Sequence, residues 1–222
     1  MLDFVRIACA VPPVRLADVA QNTQDICSKI AEADKNGCDV VLFPELALTG
    51  YTCADLFFQQ TLLDAAAAGL AEVTAYTAKV PDITVAVGAP LVIGGQMYNC
   101  GVLISDGKIH GIVPKTYLPN YKEFYERRWF SSSEDLCQDE VNARQLGLDA
   151  DYEIPVGRDL VFKLGDGAML GMEICEDLWV PAPSSVEMCR NGASIIVNLC
   201  ASHDGIGLPQ SHRALVEANS RR

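Results

Sequence analysis

Residues 39–51 read DVVLFPELALTGY. Four apolar side chains follow one another at 40–43, with no polar residue between them, before a proline and a glutamate end the run. A strand with one wet face alternates apolar and polar residues, whereas a strand covered on both faces does not. The stretch therefore belongs inside a layered α/β domain, and Glu45 stands where a buried strand stops.

The same logic extends in both directions. Residues 4–10 form a short apolar strand. Residues 16–36 carry Ile26, Ile30 and Ala33 on one helical face and stop at Gly37. An alanine-rich helix is expected over 62–79, then strands at 83–91, 99–107 and 108–115, with the Asp106-Gly107 pair as a hairpin signal. Residues 131–158 are polar and poorly periodic, which suggests a long excursion. Strands return at 160–164 and 168–174 around a GDG turn at 165–167. A short helix at 184–191, a strand at 194–199 and a helix over 208–222 follow. The expectation is one α/β domain over residues 1–222, its helices covering mixed sheets. The last helix has no strand after it, so the domain is expected to be truncated at its C-terminus.

The bulk composition narrows the function classes. Half the 222 residues are hydrophobic, as in a folded domain. Seventeen Lys and Arg stand against 29 Asp and Glu, and a net charge of −12 argues against nucleic acid or an anionic membrane as partner. No apolar run reaches the roughly 18–20 residues that cross a bilayer, and the opening MLDFVRIACAVPP lacks the form of a secretory signal. The nine cysteines show no CxxC pair and no metal-ligand spacing, so neither a metal site nor a disulfide framework is expected, and a cytoplasmic location is. Cys9, Cys38, Cys100 and Cys200 lie in or beside apolar runs and suit small buried positions.

Three segments share one form, an apolar strand broken by a polar residue: VVLFPELALTGY with Glu45, GIVPKTYLPNY with Lys115 and GMEICEDLWVP with Cys175. Strand ends are where α/β sheets hold ligands. Cys175 sits among Glu173, Glu176 and Asp177, and negative neighbours oppose a thiolate. A lysine cation converging on it would offset them, and a glutamate could take the thiol proton. Taken singly, each residue also fits a blander place: Glu45 in a loop, Lys115 in solvent, Cys175 in the core. A Cys–His pair is the rival arrangement. His110 lies in a strand and His212 in a helix, which leaves His203.

The three segments resemble the Glu–Lys–Cys motifs of the nitrilase, or carbon–nitrogen hydrolase, superfamily. More narrowly, FPELALTGYTCADLF (43–57), PKTYLPNYKEFYERRWF (114–130) and EICEDLWVP (173–181) resemble the glutaminase domain of glutamine-dependent NAD synthetases. The resemblance implies a nitrilase-like αββα sandwich and a thioester mechanism at the side-chain amide of glutamine. Cys175 would be the nucleophile, Glu45 the base and Lys115 the cation at the transition state. It further implies that Tyr121 and Ser202 contact substrate and that Glu126 is the second glutamate beside the lysine. The family commonly has a basic residue after ASxxxIG, where this chain has Leu208. Arg213, one turn along the terminal helix, is the expected carboxylate contact instead, ahead of Arg127 or Arg128 and of the backbone N–H groups of residues 203–207.

The resemblance also implies a separate synthetase domain that receives the ammonia and amidates nicotinate adenine dinucleotide to NAD with ATP and Mg. Its SGGxDS-type loop is absent from this sequence, so no cofactor is expected in this chain. The expected partners are glutamine, the synthetase domain and other copies of the chain. The other readings are a free-standing amidase for another small amide and an idle interaction domain.

Overall fold

The computed structural model describes residues 4–165, 167–203 and 205–221. The run at 40–43 becomes β2 (Val40–Leu42), paired in parallel with β1 (Ile7–Cys9) on one side and β3 (Thr84–Ile93) on the other. β4 (Gln96–Ser105) and β5 (Lys108–Pro114) extend the sheet antiparallel, in the order β1-β2-β3-β4-β5. The turn into β5 is made by Asp106 and Gly107, both at positive φ (46° and 71°). That backbone matches the twist of the flanking strands, which explains the hairpin signal.

Both faces of this sheet are covered. On one lie α1 (Val19–Lys35) and α2 (Gln60–Thr77). Asp18 caps α1 by accepting the Gln21 backbone N–H at 3.2 Å, and Ile26, Ile30 and Ala33 turn inward as their spacing requires. These side chains meet Val41, Val85 and Val87 in one core. On the opposite face, Val40, Ala86, Leu103 and Val113 meet a second sheet. Val40 and Val41 thus serve different cores, which is why the run shows no alternation.

The second sheet has the order β10-β9-β8, from β8 (Val161–Lys163), β9 (Met169–Ile174) and β10 (Ile195–Leu199). β8 and β9 are antiparallel, as the GDG turn implied; Asp166 of that turn lies outside the described residues. Leu164, Leu170, Met172, Val197 and Leu199 supply its half of the core between the sheets. α3 (Ser185–Arg190) covers its outer face, with Met188 fully buried. The layers run helix, sheet, sheet, helix, the nitrilase-like αββα order. α4 (Leu208–Ser220) has no buried residue. No helix among the described residues is long and apolar enough to cross a membrane.

Residues 131–158 depart from the expectation. They form β6 (Glu140–Asn142) and β7 (Glu153–Pro155), paired antiparallel, and they bury Val141, Ala143, Leu146, Leu148, Ile154 and Val156 in the core beneath α1 and α2. Elements of three residues are too short to show a period, so this packing left no pattern in the sequence. A second unforeseen hairpin joins β3 and β4 through Gly94 and Gly95, at φ 59° and 81°, and lengthens both strands beyond their expected ends.

One glycine governs how the chain leaves β2. The segment after Phe43 folds back across β3, and Leu48 N–H donates to Gly88 O at 3.3 Å. A Cβ at Gly88 would lie 2.6 Å from Pro44 O and 2.8 Å from the Glu45 carbonyl carbon. Both neighbours are backbone, so neither can swing aside. Gly88→Ala is expected to cost about 1–3 kcal/mol, or roughly 2–12 °C in Tm for a chain of this size. A thermal melt unchanged from wild type would show that the Glu45 segment is not pinned there.

Candidate active site

Lys115 and Cys175 follow directly on β5 and β9, Glu45 lies three residues past the end of β2, and the topology brings the three strand ends together. The Lys115 backbone N–H donates to Asn99 O at 2.8 Å, which continues the β4–β5 ladder past Pro114. Its ammonium is fully buried, 2.6 Å from Glu45 Oε1 and 2.7 Å from Glu126 Oε1. Asn99 Nδ2 donates to Glu45 Oε1 at 2.7 Å, and Ala201 N–H donates to Glu45 Oε2 at 3.3 Å. Tyr51 OH donates to Glu126 Oε1 at 2.6 Å.

Cys175 lies just past β9 with φ +44°, in the left-handed region that side chains avoid. Such a conformation costs on the order of 1–3 kcal/mol and persists only where neighbours enforce it. Here they do. Cys175 N–H donates to Asn198 Oδ1 at 3.1 Å, and Ile174 N–H donates to Asp177 Oδ2 at 3.2 Å. Asp177 Oδ1 accepts the N–H groups of Thr116 (3.0 Å) and Tyr117 (2.8 Å), the two residues after Lys115. Asp177 therefore fastens the cysteine turn to the lysine segment.

This arrangement accounts for the carboxylates around the thiol. Glu173 is buried toward α3, accepting Ser185 N–H at 3.1 Å and Asn198 Nδ2–H at 3.4 Å. Asp177 is committed to backbone donors. Glu176 reaches outward and accepts the Tyr121 hydroxyl at 3.0 Å. Each has a task of its own beside the thiol.

The electrostatics follow from burial and pairing. Desolvation works against the Lys115 charge, but Glu45, Glu126 and the Cys175 sulfur outweigh it and hold the ammonium above the usual lysine range. Burial pushes Glu126 up, against the pull of Lys115. The neighbouring Cys200 sulfur, burial and Glu45 together raise the Cys175 thiol, while Lys115 lowers it. A thiol whose acidity is weakened in this way, near a retained ammonium, needs a base to take its proton before it can attack.

Residues 6–220 match the family described as carbon-nitrogen hydrolase. The chain belongs to that family. It is 35% identical over 221 residues to the glutamine-dependent NAD(+) synthetase of Mycobacterium leprae, an alignment that takes in 99% of this chain and 31% of that protein. Among solved structures, the glutamine-dependent NAD(+) synthetase of Cytophaga hutchinsonii superposes with a TM-score of 0.80 at 30% identity, over 96% of this chain and 33% of that one. A mutant of the Nesterenkonia AN1 amidase from the nitrilase superfamily shares the fold, with a TM-score of 0.72 at 19% identity over 93% of this chain and 69% of that one. The chain spans about a third of the length of the NAD synthetases it matches.

Around Glu45, Lys115 and Cys175, the other expected residues fall in different places. Ser202 Oγ lies 3.5 Å from Cys175 Sγ, and Glu126 is on Lys115 as described. Tyr121 is half exposed beside Glu176 and lines a cavity of about 780 Å³ together with Thr116, Arg127 and Ser132, a cavity whose lining includes none of Glu45, Lys115, Cys175 and Ser202. A smaller cavity of about 280 Å³ reaches Glu45 from the side of Tyr51 and Ala201.

Arg213 projects from α4 with its side chain 83% exposed, 3.9 Å from Glu217, and lines neither cavity. Arg128 is engaged by Asp55 through two bonds of 2.6 and 2.8 Å. His203 pairs with Glu123 at 3.1 Å and packs on Phe124, His110 bonds Ser105 within its hairpin, and His212 packs on Trp179. The sulfur of Cys175 contacts Ser202 and Cys200, so the Cys–His rival finds no support among the described contacts.

Sequence reasoning missed Asn99, Tyr51 and Cys200. Asn99 interrupts the apolar β4 run, and a fully buried amide there was the available signal. Cys200 was expected to be a plain core cysteine; its sulfur instead lies 3.6 Å from Cys175 Sγ and 2.9 Å from Ser202 Oγ. Of the four cysteines read as buried, only Cys100 is; Cys9 is exposed, and Cys38 and Cys200 are half-buried.

Proposed function

We propose that this chain hydrolyses glutamine as the ammonia-supplying part of a glutamine-dependent NAD synthetase. The observation that carries the reading is the buried Lys115 held between Glu45 and Glu126 beside the constrained Cys175 turn. The likeness to NAD synthetases along nearly the whole chain supports the choice of substrate.

The chemistry follows from these groups. Glu45 takes the Cys175 proton as the sulfur attacks the side-chain carbonyl carbon of glutamine. Lys115 stabilises the oxyanion of the tetrahedral intermediate. Glu45 returns the proton to the leaving nitrogen, ammonia departs, and a γ-glutamyl thioester remains on Cys175. Water, deprotonated by Glu45, attacks the thioester, the C–S bond breaks, and glutamate leaves as the proton returns from Glu45 to the Cys175 sulfur. Ser202 borders the reacting sulfur. The ammonia passes to a synthetase domain, where ATP and Mg would activate nicotinate adenine dinucleotide for amidation.

Glutamine also brings an α-ammonium and an α-carboxylate, each needing a partner once desolvated. Glu176, oriented by Tyr121, suits the ammonium. For the carboxylate we take Arg127 ahead of Arg213. Arg127 lines the cavity with Tyr121 and Glu176, and no carboxylate lies within ion-pairing distance of it among the described residues. Arg127→Ala is expected to raise KM for glutamine about 10-fold or more, from the ~1.5–3 kcal/mol of a charged hydrogen bond, while Arg213→Ala leaves it within about twofold. A KM that moves only with Arg213→Ala would return the role to α4.

The function itself is tested by ammonia release from the full-length protein. Glutamine should be preferred over simple aliphatic amides by kcat/KM. Equal turnover of an aliphatic amide lacking the α-groups would favour a free-standing amidase instead.

A further inference from the structure

We propose that Cys175 and Cys200 form an oxidisable pair, closed to a disulfide by peroxide-class oxidants and reopened by dithiols. Two observations on the fold carry the proposal. The two sulfurs lie 3.6 Å apart. β9 and β10 run in parallel with Ile174 opposite Leu199, so the residues that follow, Cys175 and Cys200, leave neighbouring strand ends.

The chemistry also has a starting point. Cys200 is half-buried, and its sulfur lies 2.9 Å from Ser202 Oγ. Hydrogen bonding with Cys175, and then with Ser202, lowers the Cys200 thiol against the cost of burial. Its thiolate attacks one peroxide oxygen, the O–O bond breaks, and Cys200 becomes a sulfenic acid with release of hydroxide, which solvent protonates. The Cys175 sulfur then attacks the Cys200 sulfur, the S–O bond breaks, and the oxygen leaves as water with the Cys175 proton. Two thiols and one peroxide yield one disulfide and two waters. The consequence, reversible loss of the nucleophile, rests on the glutaminase reading; the bond itself does not.

The test is peroxide treatment of the full-length protein, alkylation of remaining thiols and peptide mapping by mass spectrometry. Cys175 and Cys189 share one tryptic peptide, so fragment-ion sequencing assigns the linked sulfur. The expected product links Cys175 to Cys200, disappears on dithiothreitol, and is absent from both Cys175→Ala and Cys200→Ala. A wild-type map with Cys175 carried to the sulfinic acid and no Cys175–Cys200 link would overturn the proposal. Ammonia release from glutamine, followed in the same samples, should fall in proportion to the linked fraction. A linked fraction that rises while ammonia release holds steady would leave the bond standing and remove its effect on activity.

Discussion

Cys175→Ala is expected to lower glutamine hydrolysis by at least about 10³-fold, because without the sulfur no thioester forms and only binding and oxyanion stabilisation remain. The fold should persist. The turn at Cys175 is held by Asn198 and Asp177 through backbone donors, none of which involves the sulfur. In the full-length protein, amidation driven by added ammonia should stay near its wild-type rate, since that reaction belongs to another domain in the proposed scheme. Steady-state ammonia release, ammonia-driven amidation and a thermal melt, measured on one preparation, separate these effects. Loss of both activities in a protein with wild-type Tm would contradict the division of labour.

Lys115→Met should damage stability and catalysis together. Methionine fits the lysine stem but leaves Glu45 and Glu126 facing each other, both buried, without a cation. Removing one partner of a buried ionic cluster costs about 3–5 kcal/mol, a large share of the roughly 5–15 kcal/mol that holds a domain folded. Catalysis should fall by a further factor on the order of 10²–10³, the usual effect of losing an oxyanion-stabilising group. The attribution can be checked by adding Glu126→Gln. Glutamine removes one of the two stranded carboxylates, so the double variant should recover part of the lost stability while remaining inactive. Denaturant melts of the single and double variants measure the coupling directly. A Lys115→Met protein as stable as wild type would show that the ammonium does not neutralise the cluster.

Glu45, Lys115 and Cys175 stood out because each ends an apolar strand run, but singly each also fits a loop, solvent or core position, and their joint role came from the resemblance of the three segments. The covered sheet was legible from the run itself. Val40 and Val41 feed two different cores, and only a doubly covered strand requires both. What escaped has a physical cause too. Asn99 is one amide inside β4, and its partner Glu45 lies 54 positions away, beyond any local pattern. Cys200 looks like its apolar neighbours until the parallel register of β9 and β10 sets it beside Cys175. Residues 131–158 pack well through elements too short to have a period. The Gly94-Gly95 pair was a readable hairpin signal that the strand assignment passed over. The preference for Arg213 arose from helical spacing, which gives a direction along α4 but not the distance from α4 to the cysteine.

The role of Cys175 as acceptor of the glutamyl group is tested by acid quenching of the full-length protein during glutamine turnover, followed by peptide mapping by mass spectrometry. The expected result is a γ-glutamyl adduct on the peptide containing Cys175, assigned by fragment ions to that residue, released by hydroxylamine and missing in Cys175→Ala. Turnover of glutamine at the wild-type rate by Cys175→Ala, or a glutamyl adduct on a different residue, would contradict it.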